Sequence, residues 1–209
     1  VRALADHSRN MDDEQLLALK KSGGVIQVVG FASYLKVDSK ERTEALTKLR
    51  EEFGLTQQAF GRAGGRGRGA AAATRACPVE DPNAPPQAGR GGGRGAALLN
   101  LLPADKRAEY DRRMADINAK WPAAPRATVK DFVDHIDYLV KKIGVEHVGI
   151  SSDFDGGGGV DGFNSAAEAF NVTLELVRRG YSERDIDMIW SGNLLRVWSE
   201  VEQVAKKLQ

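Results

Sequence analysis

Two runs of this chain, Val25–Gly30 and Val145–Ser152, are short, apolar and flanked by glycine, and they are its only convincing strands. Runs of this kind suit strands buried on both faces. Helix signals surround them. Asp12 with Gln15 reads as a capping box, Leu16, Leu17 and Leu19 supply the apolar stripe, and Gly23-Gly24 is the stop. A helix beginning at Asp38 or Ser39 carries Ala45, Leu46, Leu49 and Phe53 on one face. Ala104–Lys120 is amphipathic through Tyr110, Met114 and Ile117. Thr128 with Asp131 caps a helix whose stripe is Phe132, Ile136, Leu139, Val140 and Ile143. Ser165 with Glu168 caps another, with Phe170, Leu174 and Val177 expected inside. Ser182 with Asp185 opens the last helices, where Trp190 and Trp198 are expected in the core.

Strands that alternate with helices form parallel sheets through right-handed crossovers. Two parallel strands cannot cover six helices, so the pattern reads as part of a larger α/β domain. An eight-stranded barrel typically needs about 250 residues, and this chain has 209, beginning at Val1 with nothing that looks like a signal peptide. No segment reaches the roughly 18 consecutive apolar residues of a membrane-spanning helix.

From Gly61 to about Gly95 the composition collapses to Gly, Ala, Arg and Pro. Such a segment buries too little apolar surface to offset the entropy of ordering. Residues 61–97 are therefore expected to form a low-complexity, disordered insertion loop within one partial domain spanning 1–209. Arg-Gly repeats also occur in segments that bind single-stranded RNA, but these lack aromatic residues for base stacking. The charge balance, 30 Lys and Arg against 29 Asp and Glu, argues against a globally basic nucleic-acid binder.

The chain has one cysteine, Cys77, which excludes an internal disulfide and a Cys-rich zinc site. Its histidines are His7, His135 and His147. His135 falls on a helix, as a surface or packing residue, and His147 opens a strand, so neither suits a metal. Two polar clusters remain. Ser152-Asp153-Phe154-Asp155-Gly156 ends the second strand, where parallel barrels place their chemistry. Its carboxylates could grip an amine, shuttle a proton or hold a cation, or Asp153 or Asp155 could simply cap a turn. Asp6-His7-Ser8-Arg9-Asn10 precedes the first helix. Arg9 suits a bidentate grip on a carboxylate, and His7 could be a ligand, a base or a solvated loop residue.

Together these segments resemble the membrane (renal) dipeptidase family. The resemblance rests on Asp6–Asn10 with Asp12-Asp-Glu-Gln-Leu16, on Gly23–Val29, on Val133–Tyr138, on Gly144–Gly156 with its Asp-Phe-Asp-Gly ending, and on Arg179–Ser182 with Gly192–Arg196. It implies an α/β fold that is the C-terminal portion of a (β/α)₈ barrel, comprising the last two strands and the closing helices. It implies a metallodipeptidase in which two zinc ions of the intact parent activate water against the peptide carbonyl. The family's zinc ligands are absent from this chain, so the fragment alone is expected to be inactive. Arg9 matches the residue that holds the dipeptide's C-terminal carboxylate. Asp153 matches the acidic residue near the scissile bond and free amine, a candidate proton donor, and Asp155 supports the loop. The expected partner is a dipeptide, with no nucleic acid, and a homodimer is compatible. Two rival readings stay open: another barrel amidohydrolase, and an RNA-binding segment through the Arg-Gly stretch.

Overall fold

The computed structural model describes residues 1–55, 99–154 and 156–208. The expected insertion at 61–97, the role given to Asp155 and Cys77 lie outside the described residues. The fold is α/β, rich in helix with few strands, and divides into two compact units.

The first unit, Val1–Val37 with Ala124–Gln209, holds the sheet. Helix α1 (Asp13–Lys21) begins at the Asp12–Gln15 capping box and buries Leu16. Leu17 departs from the expected stripe and is half exposed. Strand β1 (Ile26–Gly30) runs parallel to β2 (Val148–Ser152), with Val28 beside Ile150 and Gln27 beside Gly149. Val145–His147, expected to be strand, forms a 3₁₀ turn first. The expectation of burial on both faces is corrected. Val28, Val148 and Ile150 join Phe132, Ile136, Leu139 and Ile143 of α5 (Val129–Ile143) in one apolar cluster. On the other face, Gln27 lies over Gly149, and Val29 and Ser151 are only half buried. Neither outer edge of the pair meets another strand among the described residues.

A four-residue helix, α2 (Ala32–Leu35), follows β1. After β2, the expected Ser165–Glu168 box does not form; a 3₁₀ turn over Ala166–Glu168 leads into α6 (Ala169–Arg178). Its buried face is Val172, Glu175 and Leu176, and Phe170 and Val177 are exposed, opposite to expectation. This face packs on α5, and the polar arm of Glu175 is held inside by Arg179 at 3.0 Å. Helix α7 (Glu183–Asp187) starts at the expected Ser182–Asp185 box, continues through a π-turn at Met188–Gly192, and becomes α8 (Asn193–Leu208). Trp190 packs on the core and donates to Thr173. Trp198, expected in the core, is 61% exposed.

The second unit, Asp38–Ala123, pairs α3 (Lys40–Glu52) with α4 (Ala104–Lys120). Leu49, Leu55 and Tyr110 form its core, with Phe53, Met114 and Ile117 against it. Arg42 is buried and satisfied, donating to Asp38, Asn118 and the Trp121 carbonyl. No described helix is long and apolar enough to cross a membrane.

Candidate active site

Parallel strands direct their C-terminal ends to one side, and three loops meet there. Phe31 and α2 follow β1, residues 153–159 follow β2, and the Asp6–Asn10 loop joins them. Asn10 fastens the last loop, its Nδ2 donating to the Ala5 carbonyl at 2.9 Å and to the Tyr34 carbonyl at 2.8 Å. The Ala32 N–H donates to the Gly158 carbonyl at 2.8 Å and ties the two strand-end loops together.

Arg9 is exposed, with its guanidinium 5.9 Å from the centre of the Tyr34 ring. The same ring contacts His7 at 4.8 Å and Phe31 at 4.7 Å. No described carboxylate forms an ion pair with Arg9. The guanidinium is thus held by an aromatic face and leaves its five N–H groups for an incoming anion. His7 Nδ1 accepts from the Arg9 backbone N–H at 3.1 Å. A cavity of about 230 Å³ opens beside β1, lined by Arg9, Asn10, Gln27, Val29, Tyr34 and His135.

Asp153 stands directly after β2, at the strand end where the sequence placed it. The turn that follows is built on its backbone. Its carbonyl accepts N–H bonds from Gly156, Gly157 and Gly158 at 3.2, 3.1 and 2.9 Å. Gly158 takes φ +43°, a conformation that glycine adopts without the Cβ penalty. The carboxylate has no hydrogen bond or ion pair to a described residue. It rests against Gly156, where a Cβ would collide with its Oδ1. Arg9 and Asp153 sit on loops that meet, through Tyr34, Phe31 and Gly157, without pairing with each other.

The other histidines have structural partners. His135 is buried, with its Nε2 3.3 Å from the Leu35 carbonyl, and burial is the largest cause that pushes its pKa down to about 4. His147 Nδ1 lies 2.7 Å from the Gly24 carbonyl and ties the α1–β1 turn to β2. Among the described residues, no three His, Cys, Asp or Glu side chains converge as a metal site would require. Sequence reasoning missed Tyr34 and the clasp made by Asn10. The four residues of α2 are too few to show a helical period, so nothing marked Tyr34 as facing Arg9.

Comparison with known proteins gives the family. The membrane dipeptidase family (peptidase family M19) matches residues 1–209. Dipeptidase aclJ of Aspergillus oryzae is 41% identical over 86 residues, which are 41% of this chain and 20% of that protein. Dipeptidase 3 of Rattus norvegicus is 39% identical over 82 residues, 39% of this chain and 17% of that protein. The crystal structure of the probable dipeptidase PvdM from Pseudomonas aeruginosa superposes with a TM-score of 0.59 at 39% identity, covering 97% of this chain and 43% of that one. The matched region is thus less than half of each of these proteins, and across its whole length the chain belongs to the membrane dipeptidase family.

Proposed function

We propose that this chain supplies the substrate-gripping side of an enzyme that hydrolyses dipeptides. The observation that carries this reading is a pair of opposite charges at one end of a parallel sheet, neither with an ion-pair partner among the described residues. Arg9 would take the dipeptide's terminal carboxylate in a charge-assisted, bidentate grip, with Tyr34 keeping its plane fixed. Asp153 would face the free amine and the scissile bond, where a carboxyl can hand a proton to the leaving amine.

The larger architecture we infer is a (β/α)₈ barrel, of which β1 and β2 are the last strands. The small, half-buried face of Gln27, Val29, Gly149 and Ser151 suits a barrel interior, and the open strand edges suit further parallel neighbours. The two zinc ions implied by the family resemblance do not fit the described residues. Their ligands would lie in a longer protein.

The test uses a longer protein containing this chain and a panel of dipeptides. Arg9→Ala raises KM more than it lowers kcat, a loss of roughly 1.5–3 kcal/mol if the bond is well desolvated. Asp153→Asn lowers kcat by about 10²–10⁴ with metal content unchanged. The isolated 209-residue chain turns over no dipeptide. An Asp153→Asn variant with intact kcat removes Asp153 from the chemistry, and one that loses metal makes it a ligand instead.

A further inference from the structure

Helix α2 has four residues, and isolated helices shorter than about 12 residues are marginal in water. Its position is therefore set from outside. At its start, the Ala32 N–H donates to the Gly158 carbonyl at 2.8 Å. At its end, Tyr34 and Leu35 belong to the last turn, where carbonyls lack an intrahelical donor. Side chains supply the donors. Asn10 Nδ2 donates to the Tyr34 carbonyl at 2.8 Å, and His135 Nε2 on α5 donates to the Leu35 carbonyl at 3.3 Å. Lys36 follows and pairs with Asp131 at 2.9 Å, one turn before His135 on the same face of α5. Tyr34 thus stands between two clasps, and its ring lies 5.9 Å from the Arg9 guanidinium. Asn10 is also the residue after Arg9, and the same Nδ2 donates to the Ala5 carbonyl at 2.9 Å. An amide nitrogen has two N–H groups. One holds the loop that carries Arg9, and the other holds the helix that carries the ring behind Arg9.

We propose that Asn10 is a positioning residue for the carboxylate grip, which rests on the reading of Arg9 given above. Asn10 acts through Tyr34 and Arg9 rather than on the reacting atoms. It fixes the guanidinium and the ring behind it as one unit. A long, rotamer-rich side chain then has less freedom to lose when a carboxylate arrives. The grip on a terminal carboxylate is the same in ground and transition states, so loosening it raises KM and spares kcat. Of the common small side chains, serine and threonine carry a single O–H and aspartate carries no donor when ionised, so none of them makes both bonds at this position.

Steady-state kinetics on dipeptides, in an active longer protein containing this chain, test the proposal. Asn10→Ala is expected to raise KM by about five- to thirtyfold and to leave kcat within about twofold. Asn10→Ser, which keeps one donor, gives a smaller rise of the same kind and carries the test if the alanine variant fails to fold, as circular dichroism would report. In an Arg9→Ala background neither substitution raises KM further, because groups that act through one contact are not additive. Tyr34→Leu raises KM as well, since it removes the link between the two residues. A role in folding alone would lower the active fraction and hence the apparent kcat, with KM unchanged, and that outcome overturns the proposal. So does a rise in KM that adds in full to that of Arg9→Ala, or a Tyr34→Leu variant with unchanged KM. An unchanged KM in Arg9→Ala itself refutes the carboxylate grip and takes the positioning role with it. A raised KM in Arg9→Ala with an unchanged KM in Asn10→Ala removes the positioning role alone.

Discussion

Asn193 offers a sharp test of how the closing helices hold the sheet. It is 2% exposed, and its amide donates to two carbonyls that flank the start of β2. Asn193→Leu keeps the branching of the side chain, adds some volume and removes both bonds. Each is worth about 1 kcal/mol net, and a buried acceptor left bare costs about 1–3 kcal/mol. The Val145 carbonyl keeps a second donor, the Val148 N–H, so the larger penalty falls on the buried Val148 carbonyl. The expected loss is about 2–4 kcal/mol, or a Tm lower by about 5–15 °C for a chain of this size. Asn193→Asp should be worse at neutral pH, because a carboxylate cannot donate and would face two carbonyl oxygens. The introduced carboxyl would have a folded pKa above its unfolded value of about 3.9. Its deficit is therefore smallest below the unfolded pKa and grows as pH rises through the folded one. Urea melts followed by circular dichroism at neutral and acidic pH measure both. An Asn193→Leu variant within about 0.5 kcal/mol of the parent would refute the argument that these bonds hold α8 to the sheet.

Gly156→Ala should displace the Asp153 carboxylate, since the new methyl collides with Oδ1; in an active longer protein kcat should fall with KM little changed, and an unchanged kcat would show that the carboxylate position is immaterial. His135 is neutral when folded, its pKa lowered to about 4 by burial. The unfolded chain therefore binds the extra proton first, and stability present above about pH 6.5 is lost as pH falls toward 4. His135→Gln should flatten that part of the pH–stability curve, and an unaltered curve would place the titration elsewhere.

Helix starts were legible because caps are local chemistry. Asp12, Thr128 and Ser182 each bond the backbone N–H three residues on, and the return bond comes from Gln15, Asp131 and Asp185. Ser165–Glu168 has the same spelling but no such box, because Glu168 turns to the Asn164 N–H and a 3₁₀ turn takes the place of the first helical turn. The burial of α6 was misread for a related reason. Its apolar residues occur on both sides, so Phe170 and Val177 looked as good a core face as Val172 and Leu176. Only contact with α5 and the Arg179 clasp on Glu175 decides between them. Local bonds can be read from adjacent residues, whereas the choice of face depends on what arrives from elsewhere in the chain.

The site divides along the same line. Asp153 was legible because a strand, an acid and a glycine run in succession specify a position at the C-terminal end of a parallel sheet. Arg9 was legible as a residue type suited to carboxylates, but its orientation depends on Tyr34, an aromatic 25 positions away on a helix too short to announce itself. The structure adds a further constraint that neither motif carries. Arg9 and Asp153 are opposite charges on loops linked through Tyr34 and Phe31, yet they leave each other unpaired. A direct ion pair would screen both charges and fill the space between them. Holding them apart, one on an aromatic face and one against a glycine, leaves both charges open to outside groups, as the proposed grip on the two ends of a short zwitterion requires.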